Sequence, residues 1–197
     1  MKDREDAKKI PTDLENPLDT ITYNMAYETN KIFKALGFTP NILTTLSLAF
    51  TIFGILKLYQ ENYKLAIIFI YIGYYFDCSD GIFARTYDMK TDFGDKYDHM
   101  SDSLKILFLT VWFWNENNID KKIKSYFGAL FLFLGFFVLM QFGCQEKNNR
   151  DKQDVNVLGV LKKLCKDQDS IKYTRYLGGG TFILVFCVFL YNIEKLT

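Results

Sequence analysis

The chain has 197 residues, a net charge of +1, a single histidine, and 49% hydrophobic and 17% aromatic residues. That length suits one domain, and the near-neutral balance, with no block of five or six like charges, excludes nucleic acid as an expected partner. The apolar residues are gathered into runs separated by very polar stretches, which is how a small multispanning protein keeps a near-zero mean hydropathy.

Residues 1–17 read as a polar tail that frays, and 18–197 as one membrane domain. The tail, MKDREDAKKIPTDLENP, is charged where a cleaved signal peptide needs its apolar stretch, so targeting is expected to fall to the spans. From 18 to 36, Leu18, Ile21, Met25, Ile32 and Leu36 recur on one helical face, with Glu28, Lys31 and Lys34 elsewhere. This predicts an amphipathic helix, either lying in the membrane interface or packed on the protein as in a soluble fold. Thr39 and Pro40 mark the next helix start, as N-cap and first-turn residue.

Predicted spans follow at 41–59, 65–76, 104–114, 126–142 and 181–191. Each falls a little short of twenty residues, which keeps a soluble helical bundle in play, but Tyr59, Trp112, Trp114 and Tyr191 at the run ends favour a membrane. The fold class expected is all-α, a multispanning integral membrane bundle of about five to six transmembrane helices behind an N-terminal interfacial amphipathic helix. The polar stretch 144–177 has no clear periodicity. Gly178, Gly179 and Gly180 read as a flexible entry to the last span, since the strand, spacing and lysine of a phosphate loop are missing. Lys162, Lys163 and Lys166 read as a solvated cationic face, with contact to anionic headgroups as the alternative. Cys78, Cys144, Cys165 and Cys187 lack C-x-x-C spacing, so neither a disulfide framework nor a zinc site is expected.

Charge supplies a topology. If the spans alternate, 17 of the 24 Lys and Arg residues fall in 1–40, 85–97 and 144–177 on one side, against six in 57–64, 115–125 and 192–197 on the other. The positive-inside rule then places the stretch 77–102 on the cytoplasmic side.

That stretch, DCSDGIFARTYDMKTDFGDKYDHMSD, carries the chemistry. Asp77 and Asp80 are spaced i, i+3 and Asp98 and Asp102 i, i+4, so each pair presents two carboxylates on one helical face. Two such helix ends form an all-oxygen cluster suited to Mg²⁺ or Mn²⁺, the hard cations that bridge phosphate oxygens. A solvated acidic loop is the plainer reading, but it does not explain an aspartate placed directly after the apolar YIGYYF, where charge is costly. Gly81 allows close approach of a ligand, Arg85 can grip a diphosphate through two donors, and Ala84 lets helices approach.

The string resembles the signature of the CDP-alcohol phosphatidyltransferase family, D-x2-D-G-x2-A-R-x8-G-x3-D-x3-D, at Asp77, Asp80, Gly81, Ala84, Arg85, Gly94, Asp98 and Asp102. All eight fixed positions agree, a chance of roughly one in ten billion at a given start on uniform residue usage. The resemblance is strong over 41–115 and fades afterwards. It implies a six-helix membrane fold, usually dimeric, in which a hydroxyl attacks the phosphate of a CDP-linked alcohol and CMP leaves. Carried over by position, Asp77, Asp80, Asp98 and Asp102 would hold two Mg²⁺ or Mn²⁺ ions. Gly81, Arg85 and Thr91 would contact the nucleotide, with Asn41 a candidate for the same pocket.

Within the family, the run Asp98-His99-Met100-Ser101-Asp102-Ser103-Leu104 is similar to the D-H-G-C-D-S-L run of the choline- and ethanolaminephosphotransferases, with Met-Ser in place of Gly-Cys. This implies CDP-choline or CDP-ethanolamine as donor, diacylglycerol as acceptor, His99 as general base, and Asp95 where those enzymes have a glutamate. An endomembrane location, such as the endoplasmic reticulum, would follow in a eukaryote. Histidine titrates near neutral pH, which suits a general base; the rival gives that role to Asp102, as in the branch using CDP-diacylglycerol with inositol, serine or glycerol phosphate. A second rival is a catalytically inactive membrane scaffold.

Overall fold

The computed structural model describes residues 2–149 and 157–193, and among them every regular element is helical. The helices are α1 (Pro17–Ala35), α2 (Pro40–Tyr59), α3 (Tyr63–Thr86), α4 (Asp92–Asn115), α5 (Lys121–Asn148), the short α6 (Ile171–Thr174) and α7 (Gly179–Asn192). Helix starts follow the local chemistry. Asn16, Thr39, Asn62, Thr91 and Asp120 each accept a backbone N–H of the first turn, and Pro stands at the start of α1 and α2, where its missing N–H costs nothing.

Pro40–Tyr59, Tyr63–Thr86, Lys121–Asn148 and the stretch Ile171–Asn192 are long and apolar enough to cross a membrane. The predicted run 104–114 is the second half of α4, whose acidic first half keeps that helix out of this set. Among the described residues of 144–177 there is no separate sixth span. They are the end of α5, the 3₁₀ turns Val157–Leu164, Gln168–Ser170 and Arg175–Leu177, and α6, which leads into α7; residues 150–156 lie outside the described residues.

α2 and α3 form an antiparallel hairpin turned at Gln60–Asn62, with Glu61 at φ 57°. In lipid there is little hydrophobic drive between helices, so close contact of small residues decides where they meet. A Cβ on Gly73 would lie 2.3 Å from Thr51 Oγ1, and one on Gly54 2.6 Å from Ile70 Cγ1. Only glycine permits this spacing. α4 packs on α2, α1 on α3, and α7 on α3 and α5. Leu58, Ile70, Trp112, Phe113, Phe189 and Leu190 fill the apolar end of the bundle, leaving the opposite end for polar groups.

The face of α1 runs against the soluble alternative. Asp19, Thr22, Ala26 and Asn30 are buried against the protein, whereas Ile21, Met25, Ile32 and Leu36 point outward, each more than half exposed. A helix that hides its polar side and presents its apolar side suits a lipid interface.

Two expectations fail. The N-terminal segment does not fray: Ala7 and Ile10 are buried, and Tyr27 Oη donates to the Lys2 carbonyl at 3.0 Å. Its polar residues pack because partners far along the chain receive them. Cys144 and Cys165 form a disulfide, which ties the end of α5 to the 3₁₀ segment lying on it. Their spacing of 21 residues gave no signal, but Gly143 lets the Leu161 carbonyl sit directly on α5 and so brings the sulfurs together. Ile10, Leu14 and Ile171 pack around the bridge.

Candidate active site

The polar end of the bundle is built by three helices. From α3, Asp77 and Asp80 face α2, where Thr44 donates to Asp80 Oδ2 and Ser47 Oγ donates to Asp77 Oδ1 at 3.3 Å. From α4, the Lys105 ammonium donates to Ser47 Oγ at 3.0 Å, pairs with Asp77, and reaches Asp102 Oδ1 at 2.7 Å. One hydroxyl and one cation therefore lock α2, α3 and α4 in register.

The first turns of α4 carry the second pair. Thr91 caps the helix by accepting from Gly94 N at 3.0 Å, and Asp92 and Asp95 sit where the helix dipole favours negative charge. Further along, Asp98, His99 and Asp102 each bring one ligand atom within 4.8 Å of the others. Asp98 Oδ1 is buried with no hydrogen-bond partner, and His99 Nε2 lies 3.6 Å from Asp95 Oδ1. A buried carboxylate oxygen without a donor is costly unless a cation reaches it. The residues therefore fit a divalent ion: hard oxygen ligands, one of them open, with an imidazole beside them.

A cavity of about 370 Å³ opens against this cluster, within the range of small-ligand sites. Asn41, Asp80, Gly81, Arg85, Thr91, Asp95, Asp98 and His99 line it, whereas Asp77 and Asp102 do not. Gly81 serves differently from the expectation. A Cβ there would fall 3.2 Å from Arg85 Nη2, so the glycine makes room for the guanidinium rather than for a ligand alone. Arg85 Nε in turn donates to the Ala7 carbonyl at 2.7 Å, which fixes its direction. Gly94 plays a like part, since a Cβ there would meet Thr91 Oγ1 at 3.0 Å and Asn41 Oδ1 at 3.1 Å.

Sequence reasoning missed several groups here. Lys105 was legible as a lone cation inside an apolar run, three residues after Asp102. Thr44, Ser47 and Thr51 form a hydroxyl stripe along one face of α2, a weaker signal. Lys9 and Glu146, an ion pair at the cavity wall, come from distant segments and left no local trace.

A second group of buried acids stands apart from the cavity. Glu15 accepts from Gln145 Nε2 at 3.2 Å, and burial, with Asp19 nearby, pushes its carboxyl up to about 7. Burial likewise lifts Asp19 to about 6, against the pull of hydrogen bonds from Tyr74 and the Gly180 backbone. The glycine run is thus a close contact rather than a loose entry: a Cβ on Gly180 would lie 2.1 Å from Asp19 Oδ1. Asp19 meets the first turn of α7, where a carboxylate is favoured.

Comparison with known proteins agrees with this geometry. The family model for CDP-alcohol phosphatidyltransferase matches residues 38–193. The archaetidylinositol phosphate synthase of Pyrococcus horikoshii is 31% identical over 96 residues, covering 49% of this chain and 47% of that protein. The chain thus spans about half the length of the curated relative it matches. No solved structure matches. With a family match over most of its length, the full signature converging at one end of the bundle and four helices fit to cross a bilayer, the chain is an integral membrane protein of the CDP-alcohol phosphatidyltransferase family.

Proposed function

We propose that this protein catalyses the metal-dependent transfer of a phospho-alcohol group from a CDP-activated alcohol to a hydroxyl, releasing CMP. The observation that carries the reading is the buried, partnerless Asp98 Oδ1 beside Asp80, at the edge of a cavity that also holds Arg85 and Asn41. Asp77, Asp80, Asp98 and Asp102 would hold two divalent ions, Mg²⁺ or Mn²⁺. When bound, such ions neutralise the diphosphate and stabilise charge on the departing CMP.

The chain's own groups supply the rest. Arg85, directed by the Ala7 carbonyl, offers its remaining guanidinium donors to the phosphates. Asn41 and Thr91 flank the opening where the nucleotide would lie, with Gly81 and Gly94 keeping the walls close. His99, with Asp95 on its Nε2 side, is the base that takes the acceptor proton; Asp102 is the alternative. The excess of Lys and Arg on the segments flanking the motif supports a cavity open to the cytoplasm. A homodimer is proposed by family resemblance.

Two donor readings follow from different observations. The Asp98–Leu104 run with His99 favours CDP-choline or CDP-ethanolamine with diacylglycerol. The similarity to an archaetidylinositol phosphate synthase favours a CDP-lipid donor, such as CDP-diacylglycerol, with a polar alcohol or its phosphate. Purified protein in liposomes with Mg²⁺ or Mn²⁺, given each labelled donor with each acceptor, separates them. CMP release from CDP-choline or CDP-ethanolamine only with diacylglycerol supports the first, and dependence on CDP-diacylglycerol supports the second. No release with any pair refutes the transferase reading and returns the inactive scaffold.

A further inference from the structure

The carboxylate cluster contains its own cation. Lys105 Nζ, on a side chain only 12% exposed, contacts Asp77, Asp102 and Ser47 together. We propose that Lys105 is a resident competitor for one of the two divalent ions, withholding Asp77 and one oxygen of Asp102 from metal. This rests on the metal-dependent reading above.

Two observations carry it. The cluster is partitioned: Asp80 and Asp98 line the cavity and Asp98 Oδ1 has no partner, whereas Asp77 and Asp102 lie outside the lining and share the ammonium. An ion entering from the cavity therefore finds Asp98 Oδ1 open, Asp80 held by the neutral Thr44 hydroxyl, and a carboxylate oxygen of Asp102 within 4.8 Å of Asp98 and His99, and meets a positive charge at the other half. Charge balance points the same way. Four carboxylates with one ammonium and one divalent ion keep a net negative charge, and a second divalent ion overshoots to positive unless Lys105 swings away or an anion arrives. Even at a well-screened effective dielectric, one unit charge at contact distance shifts binding by about tenfold or more. The second ion then enters with the anionic donor, whose two phosphates supply the missing negative charge.

The test is a Mn²⁺ titration of the full-length protein in detergent micelles, with free ion followed by electron paramagnetic resonance. Wild type is expected to bind one ion tightly and a second about tenfold or more weakly. Lys105→Met, and Lys105→Gln as the polar uncharged variant, should tighten the second ion about tenfold or more. The metal-free variants should melt below wild type while gaining more from Mn²⁺. Isotherms unchanged from wild type overturn the proposal. So does loss of Mn²⁺ binding in folded variants, which makes Lys105 a support for the ligands, and so does failure of both variants to fold even with Mn²⁺. Absence of binding in wild type removes the metal site and this inference together. A tightened second ion without CMP release from any donor leaves the Lys105 inference standing and removes only the transferase reading.

Discussion

The two aspartate pairs of the signature share a spacing rule but not a physical state. On α3, Asp77 and Asp80 are already held by Ser47, Lys105 and Thr44. On α4, Asp98 keeps an oxygen with no partner, and its neighbour His99 sits at the loose distance of 3.6 Å from Asp95. The α3 pair is a preorganised floor whose geometry is paid for on folding, and Asp98, with His99 beside it, is the half left open for ligand, since Asp102 shares Lys105 with Asp77. Preorganised groups lower the reorganisation needed during reaction, whereas open groups supply the binding energy.

Breaking the open half should have the largest effect. Asp98→Asn removes the charge of a carboxylate with a buried, partnerless oxygen, and CMP release is expected to fall about 10³-fold or more, with Mn²⁺ binding weakened in parallel. Turnover near wild type would mean that the open oxygen is not a ligand. His99→Gln should come next, lowering turnover about 10²-fold with donor binding retained, as loss of a general base does. Unchanged turnover would move the proton to Asp102.

The buried acids Glu15, just before α1, and Asp19, in its first turn, sharpen the contrast, because they are closed without metal. Glu15 is raised from its ordinary 4.5 to about 7, so between these values the folded state holds a proton that the unfolded state has released. Stability contributed here therefore falls as pH rises from about 4.5 to about 7, and Asp19, raised from 3.8 to about 6, adds in the same direction. Glu15→Gln keeps an acceptor for Gln145 and cannot ionise. Thermal unfolding in detergent should show it more stable than wild type by roughly 2–3 kcal/mol at pH 8, with the gap closing toward pH 4.5. A gap independent of pH would show that Glu15 is not the source. Adding Mg²⁺ should leave this gap unchanged, unlike anything measured at Asp98.

What the sequence disclosed follows the range of the interactions. Thr39 as a cap, the i, i+3 and i, i+4 acid pairs and the apolar runs are local, and the structure has them where expected. The outward apolar face of α1 was legible as periodicity, but its destination was not, because the partners that bury Asp19 and Asn30 are Gly180 on α7 and Ser79 on α3. The disulfide, the packed N-terminal segment and the Lys9–Glu146 pair join positions far apart in the chain, and no spacing rule connects them. Lys105 lies between these cases: its place was visible, but its role depends on α2 and α3 meeting it.

The hydrogen bond from Arg85 to Ala7 gives residues 2–16 a different standing. A segment that reads as a polar tail puts Lys9 into the wall of the cavity, and the Lys9–Glu146 pair fastens that wall to the far end of α5. Its freedom to vary is that of a site, since a single inserted or deleted residue near Ala7 re-aims a guanidinium toward or away from the phosphates it is placed to grip.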